Sequence, residues 1–280
     1  MIALNRWSEC IPLRLWRTTC TDRDKLRVIC FNIDGSTGNI REKAIKVRDF
    51  LRRYPTDIVF IAEYNEQHPR ILDSLLNEDF KYSTFHKRLL FQYFYGNYPL
   101  FNARRLKDKK GIHVGVYVCS TIYKSDTIDL YGCHFASNNY NQNQEREGIE
   151  SIGDKDDALK YVDNIQDASL LREIEAETVV GEILKSPHHA ILLGDLNDVG
   201  GSKALRFFEN NGLSDSWWEG GVGYGATIHY PLPYRIDHIM YSRGLKLETI
   251  RVLSSNGLSD HDALYADLVL IKNSLLVYGK

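Results

Sequence analysis

The sequence predicts an α/β protein in which two packed β-sheets are covered by helices. Short, β-rich apolar runs recur along the 280 residues, and several neighbouring runs are separated only by turns, as hairpins require. Helix-spaced segments stand between other runs, so strands neighbour strands as well as helices. A single doubly wound parallel sheet would alternate the two throughout, and this chain does not.

In chain order, LRVICFN (26–32) and DIVFIAE (57–63) are the first strands. Between them, Ile40, Ala44, Val47 and Leu51 in IREKAIKVRDFLRRY fall at helical spacing. Pro55 and Asp57 punctuate the entry to the second strand. A helix is predicted over 67–77, then strands at GIHVGVYVC (111–119) and TIDLYGCHF (127–135). A further helix is predicted over roughly 165–185, a strand at HAILLGD (189–195), and a helix over 202–211 after Gly-Gly-Ser. The last strands are YRIDHIMYS (234–242), LKLETIRVL (245–253) and DALYADLVLI (262–271). The polar stretch 136–157 reads as a solvent-facing loop or irregular helix, and as a lid if it faces substrate.

Residues 1–25 read as an arm packed on a domain spanning 26–272. Arg6, Arg14 and Arg17 interrupt the arm's apolar residues, so it offers neither a signal-peptide core nor a spanning helix. A membrane-surface role for Trp7 and Trp16 is disfavoured by the shortness of the stretch and by Pro12. The expected compartment is the cytoplasm.

A formal net charge of −2 argues against binding nucleic acid through a diffuse positive surface, so phosphate binding has to be local. Five cysteines without a CxxC signal neither a zinc site nor a disulfide framework.

The informative pattern is the polar residues that close apolar runs: Asn32, Glu63, His134, Asp195 with Asn197, Asp237, and Asp260 with His261. Singly, each is also explained as a turn former, a helix cap or a satisfied histidine. Glu63 fits such explanations worst, because a carboxylate directly after IVFIA is costly to bury without a cation. In ILLGDLNDVGGS a calcium loop starting at Asp195 fails, since its fifth and twelfth positions are Val199 and Arg206. A phosphate loop fails as well, for Gly200-Gly201-Ser202 lacks the lysine. If the strand stays extended, Asp195 and Asn197 point to one side and face one substrate. Asp237, in the middle of an apolar strand, meeting His261 would form an acid–imidazole pair.

Taken in order, FNID, FIAEYNE, CHFAS, GDLND, RIDHI and SDHDAL resemble the motifs of the endonuclease/exonuclease/phosphatase superfamily, from about Leu26 to Leu270. That resemblance implies a four-layer α/β sandwich of two mixed sheets flanked by helices, with the site at one edge of the pair. It implies a phosphoesterase using Mg2+ or Mn2+, with Glu63 as principal ligand and Asn32 and Asp260 at the metal or a second metal position. Asp195 would orient or deprotonate the attacking water, Asn197 and His134 would contact the scissile phosphate, and His261, held by Asp237, would be base or phosphate ligand.

The expected substrate is a phosphodiester, with nucleic acid as a partner class. The alternatives are a phosphatase, a phospholipid- or sphingomyelin-type phosphodiesterase, and a non-catalytic binding module of the same fold. The aromatic and basic stretch 88–111 reads as a polyanion contact or as core aromatics with a solvated basic turn. Oligomeric state and membrane association have no signal.

Overall fold

The computed structural model describes residues 24–35, 39–64, 69–85, 92–138, 155–229 and 232–271. Most of the arm, with Trp7, Trp16, Cys10 and Cys20, lies outside them, as do residues 88–91 and 139–154. The element order is β1 (Lys25–Asn32), α1 (Ile40–Leu51), β2 (Ile58–Ala62), α2 (Pro69–Leu76), β3 (Tyr82–Ser83), β4 (Tyr93–Gly96), β5 (Leu100–Lys107), β6 (His113–Tyr123) and β7 (Asp126–His134). It continues with α3 (Lys155–Ile183), β8 (His189–Asp195), α4 (Lys203–Asn210), β9 (Leu213–Asp215), α5 (Ser216–Gly220), β10 (Asp237–Ser242), β11 (Leu245–Leu253) and β12 (Ala263–Leu270).

Two six-stranded sheets result, ordered β11-β12-β1-β2-β4-β3 and β5-β6-β7-β8-β10-β9. Both are mixed: β1 with β2 and β7 with β8 are parallel, and their neighbours are antiparallel. Parallel neighbours need a crossover, which α1 supplies in the first sheet and α3 in the second.

Side-chain alternation then sorts each strand between two cores. Leu26, Val28, Cys30, Ile58 and Phe60 of one sheet pack against Ile128, Leu130, Ile191, Leu193 and Ile239 of the other. The intervening Ile29, Phe31, Val59 and Ile61 turn outward onto Ala44, Val47 and Leu51 of α1 and Leu72 and Leu76 of α2. On the opposite flank, Tyr131, Cys133 and Leu192 meet Ala176, Val179 and Val180 of α3 and Leu205 and Phe208 of α4. The expected four-layer sandwich is the observed one.

Helix ends follow local chemistry. The Asn39 side chain accepts from the amides of Arg41 and Glu42 to start α1, and Ser202 accepts from Leu205 to start α4. Helix α3 begins at Lys155, about ten residues earlier than the sequence suggested.

The stretch 88–111 divides in two. Tyr93, Phe94 and Tyr95 of β4 are buried, whereas β5 is an edge strand whose Arg104 pairs with Glu182 of α3 at 2.9 Å. Outward-pointing charges on an edge strand leave no alternating apolar signal, which hid β5 in the sequence. The core-aromatic reading of this stretch is the better description.

Gly132 marks a close approach of the sheets: a Cβ there would lie 2.2 Å from the Phe60 ring. Gly132→Ala should therefore destabilise the protein by about 1–3 kcal/mol through overpacking. Urea denaturation would show this as a lower midpoint with an unchanged slope, and an unchanged midpoint would refute the close packing.

Candidate functional site

The alternation that builds the intersheet core also builds the site. Asn32 continues the inward face of Val28 and Cys30, His134 that of Ile128 and Leu130, and Asp195 that of Ile191 and Leu193. Register then joins them. His134 is the parallel partner of Asp195 across β7–β8, and Asp237 is its antiparallel partner across β8–β10. Asn32, Asp195 and Asp237 are buried, so one end of the intersheet core is polar.

Glu63 follows β2 with φ 54°, a left-handed backbone that a non-glycine residue adopts at a cost. The turn is held because the amide of Gly35 donates to the Glu63 carbonyl at 2.8 Å, and it aims the Glu63 side chain back at Asn32. Nδ2 of Asn32 donates to Oε1 of Glu63 at 2.8 Å and to Oδ2 of Asp195 at 3.2 Å. Its Oδ1 accepts from the amide of Asp34 at 3.1 Å. Nε2 of His134 lies 3.4 Å from Glu63 Oε1 and 3.9 Å from Asp195 Oδ2.

His261 meets Asp237 as the sequence suggested, with Nδ1 2.8 Å from Oδ2, and its Nε2 lies 3.7 Å from Asp195 Oδ2. Asp237, however, begins β10 instead of lying mid-strand. Tyr234 is taken up in a separate bridge to Ile228, and the hydroxyl of Thr227 accepts from the Ile236 and Asp237 amides. Ile228 also bridges His261, which ties both halves of the acid–imidazole pair to one segment.

Asn197 departs from the extended geometry on which its expected direction rested. Its φ is 50°, so β8 ends at Asp195 and the chain turns. The Asn197 amide donates to Asp195 Oδ1 at 2.8 Å, and its Nδ2 donates to the Phe135 carbonyl at 2.9 Å. Asp260 is exposed, accepts from the Ser259 hydroxyl at 3.2 Å, and acts on His261 and Lys43 through its charge.

Burial raises the Glu63 pKa, but the contacts and charge of His134, with the Asn32 amide, outweigh it and bring it down to about 2. Burial and the neighbouring Asp237 push Asp195 up. Burial disfavours charged His261, yet Asp237, Asp195 and Asp260 together raise it to about 10. His134 is raised as well, its burial outweighed by Glu63 and Asp195.

This constellation fits a divalent cation. Glu63, His134 and Asp195 each offer a ligand atom, and these atoms lie within 4.8 Å of one another. The two carboxylates supply hard oxygen donors, and Asp195 is buried where its negative charge is otherwise penalised. Asp260 is not a member of that group.

Residues without a motif complete the surroundings. From α3, the Arg172 guanidinium donates to the Ala136 carbonyl at 3.0 Å and reaches Asp198 at 3.3 Å. Glu175 accepts from the amides of Gly115 and Ala136 at 3.0 and 2.9 Å. Both are buried on the stripe of Ala168, Ala176 and Val179, and a charged pair on an apolar helix face is the sequence signal that could have found them. Behind the DLND turn, Arg235 makes paired contacts with Asp215 at 3.2 and 2.9 Å, and His238 Nε2 lies 3.0 Å from the Asp198 carbonyl. Trp217 is packed in the core, while Trp218 is 66% exposed and stacks on Arg235.

A two-sheet sandwich whose carboxylates, amides and imidazoles meet at one end of the intersheet core is the architecture of the phosphoester hydrolases of the endonuclease/exonuclease/phosphatase type. A sequence profile described as the Endonuclease/Exonuclease/phosphatase family matches residues 29–261, and the chain belongs to that family. No curated protein sequence matches it significantly.

Solved structures share the fold. An endonuclease/exonuclease/phosphatase from Bacteroides vulgatus superposes with a TM-score of 0.64 at 17% identity, covering 88% of this chain and 99% of that one. Truncated TDP2 from Caenorhabditis elegans gives 0.62 at 15% identity, with 88% and 97% covered. TDP2 from D. rerio in complex with single-strand DNA product gives 0.59 at 16%, with 87% and 98% covered.

The Asp215 cluster generates a testable pH dependence. Burial raises the Asp215 carboxyl, but His238 and Arg235 hold it down to about 2. A folded value below the unfolded value of about 3.9 stabilises above that pH, and the stabilisation is lost as pH falls toward the folded value. Asp215→Asn should cost about 3 kcal/mol or more at neutral pH, because Arg235 is left buried without its anion. Urea midpoints of variant and wild type should converge as pH falls from about 4 to about 2. A gap that ignores pH would mean that Asp215 is not held ionised by Arg235 and His238.

Proposed function

We propose that this chain is a metal-dependent phosphodiesterase of nuclease type that hydrolyses its substrate by in-line attack of water. The observation that carries this reading is the convergence of Glu63, His134 and Asp195 on one polar end of the core, with Asn32 between the carboxylates and the Asp237–His261 pair beside them. The proposed catalytic unit is residues 26–272, with 1–25 as its arm.

Glu63 is the principal ligand for a divalent ion, Mg2+ or Mn2+, since carboxylate oxygens suit hard cations. Asn32, which donates to Glu63, borders the same position, and Asp260, on the segment between β11 and β12, is the candidate for a second, outer metal carboxylate. When bound, the ion polarises a phosphoryl oxygen and offsets the charge that builds there.

Asp195 orients the attacking water and takes its proton, a task suited to a carboxylate whose proton affinity is raised. His261 is fixed by Asp237 and positively charged, so it donates to a phosphoryl oxygen. His134 serves the same phosphate from the opposite side of Asp195, and Asn197 holds the Asp195 carboxylate through its backbone amide.

A polynucleotide is the favoured substrate class, supported by the fold shared with TDP2, whose D. rerio form is seen with single-strand DNA product. A lipid-linked phosphodiester is the second reading. Val222, Tyr224 and Leu232 are exposed on the segment whose Ile228 bridges His261, and they would suit an apolar substrate. The buried thiols of Cys30, Cys119 and Cys133 suit a reducing compartment such as the cytoplasm. Among the described residues no helix is long and apolar enough to cross a membrane.

Turnover should require Mg2+ or Mn2+, vanish with chelator and return on re-addition. Glu63→Gln and His261→Ala should each lower kcat by about 100-fold or more with the fold intact. Steady-state assays on single-stranded oligonucleotides, phospholipids, inositol phosphates and a chromogenic diester provide the measurement. Full activity in both variants would overturn the assignment. Turnover of a phospholipid but no oligonucleotide would replace the first substrate class with the second.

A further inference from the structure

The helical spacing of α1 leaves one position unexplained by packing. Ala44 and Val47 are buried against β1 and β2, yet beside them Lys43 carries a side chain only 13% exposed. An apolar residue would serve the interface better, because enclosing an ammonium is costly unless its partners repay it. Those partners lie at the catalytic end. The Lys43 ammonium donates to the Asp34 carbonyl, lies 3.8 Å from the Asp34 carboxylate, and is within electrostatic reach of Asp260 and Glu63.

Asp34 matters because of what its backbone does. At φ 41° it occupies the left-handed region, and there its N–H meets Oδ1 of Asn32 at 3.1 Å. An N–H can only donate, so the Asn32 oxygen has to face it and the NH2 has to face the other way. That other way holds Glu63 and Asp195, at 2.8 and 3.2 Å from Nδ2. The flanking residues are tied to β2 by Ile33 to Ala62 at 3.1 Å and Gly35 to Glu63 at 2.8 Å, and Lys43 grips the residue between them.

We propose that Lys43 is a positioning residue: by locking Asp34 it sets the direction of the Asn32 amide, and so holds the Glu63 and Asp195 carboxylates at the spacing a divalent cation requires. This rests on the metal-dependent reading of the site.

Lys43→Met, Lys43→Gln and, as a control, Lys46→Met on the exposed face of α1 would be titrated with Mn2+ alone, following loss of the free-ion EPR signal. Thermal midpoints and the kcat and KM for a single-stranded oligonucleotide would be measured in parallel. Loss of a group that orients metal ligands costs about 10–100-fold in metal affinity or activity. Lys43→Met should show a loss of that size in Mn2+ affinity and in kcat, with KM close to wild type. Lys43→Gln, which keeps an N–H donor for Asp34, should recover part of it, and Lys46→Met should match wild type. Wild-type Mn2+ affinity in Lys43→Met would overturn the proposal. So would a Lys43→Gln protein no better than Lys43→Met with both melting lower, since that pattern belongs to packing alone. Wild-type protein that binds no Mn2+ would remove the metal-centre reading, and the proposal with it.

Discussion

The surroundings of Asp195 depend on the register of β8. Setting His134 and Asp237 opposite Asp195 puts a buried carboxylate between an imidazole and a second buried carboxylate, at the edge of a tightly packed apolar core. Like charges at close range in low dielectric repel strongly, so such a cluster survives only with compensating partners. His261, His134 and the Asn32 amide are those partners, and the raised proton affinity of Asp195 is the residue of imbalance they leave. The proposed divalent cation would offset that excess of negative charge, so the repulsion between the carboxylates would favour its binding.

A centre under that tension has to be held by its surroundings. Asn197 and Glu63 adopt left-handed backbone at the ends of their strands, and both turns are locked by hydrogen bonds. Arg172 and Glu175 grip the chain after His134 from α3, while Asp215, Arg235 and His238 back the turn after Asp195. Each helper is buried and hydrogen-bonded within its own small network. Together they hold the two turns that carry the site.

Much of this was legible in the sequence because periodicity is local. The apolar runs that end in Asn32, Glu63, His134 and Asp195 mark both the strand and the end of the strand, and an alternating strand fixes which face its last residue takes. The pairing of Asp237 with His261 could be stated only as a conditional, because it joins two segments that no local pattern ties together. What stayed hidden depends on contacts between distant segments. Asn197 looked like the next residue of an extended strand, and only the turn at φ 50° redirects it. Asp237 looked central in its run, because nothing local shows that Tyr234 bridges Ile228 and leaves the strand to begin later. Lys43 sits on a helix where a charge reads as solvated until its partner's position is known.

The proposed divalent-cation site at the Glu63 end of the intersheet core is open to anomalous diffraction from crystals equilibrated with Mn2+. A manganese peak is expected at ligand distance, about 2.1 Å, from a Glu63 carboxylate oxygen, and it should be lost in Glu63→Gln crystals. Saturating Mn2+ that leaves this position without a peak, in protein that still hydrolyses a phosphodiester, would contradict the proposed site.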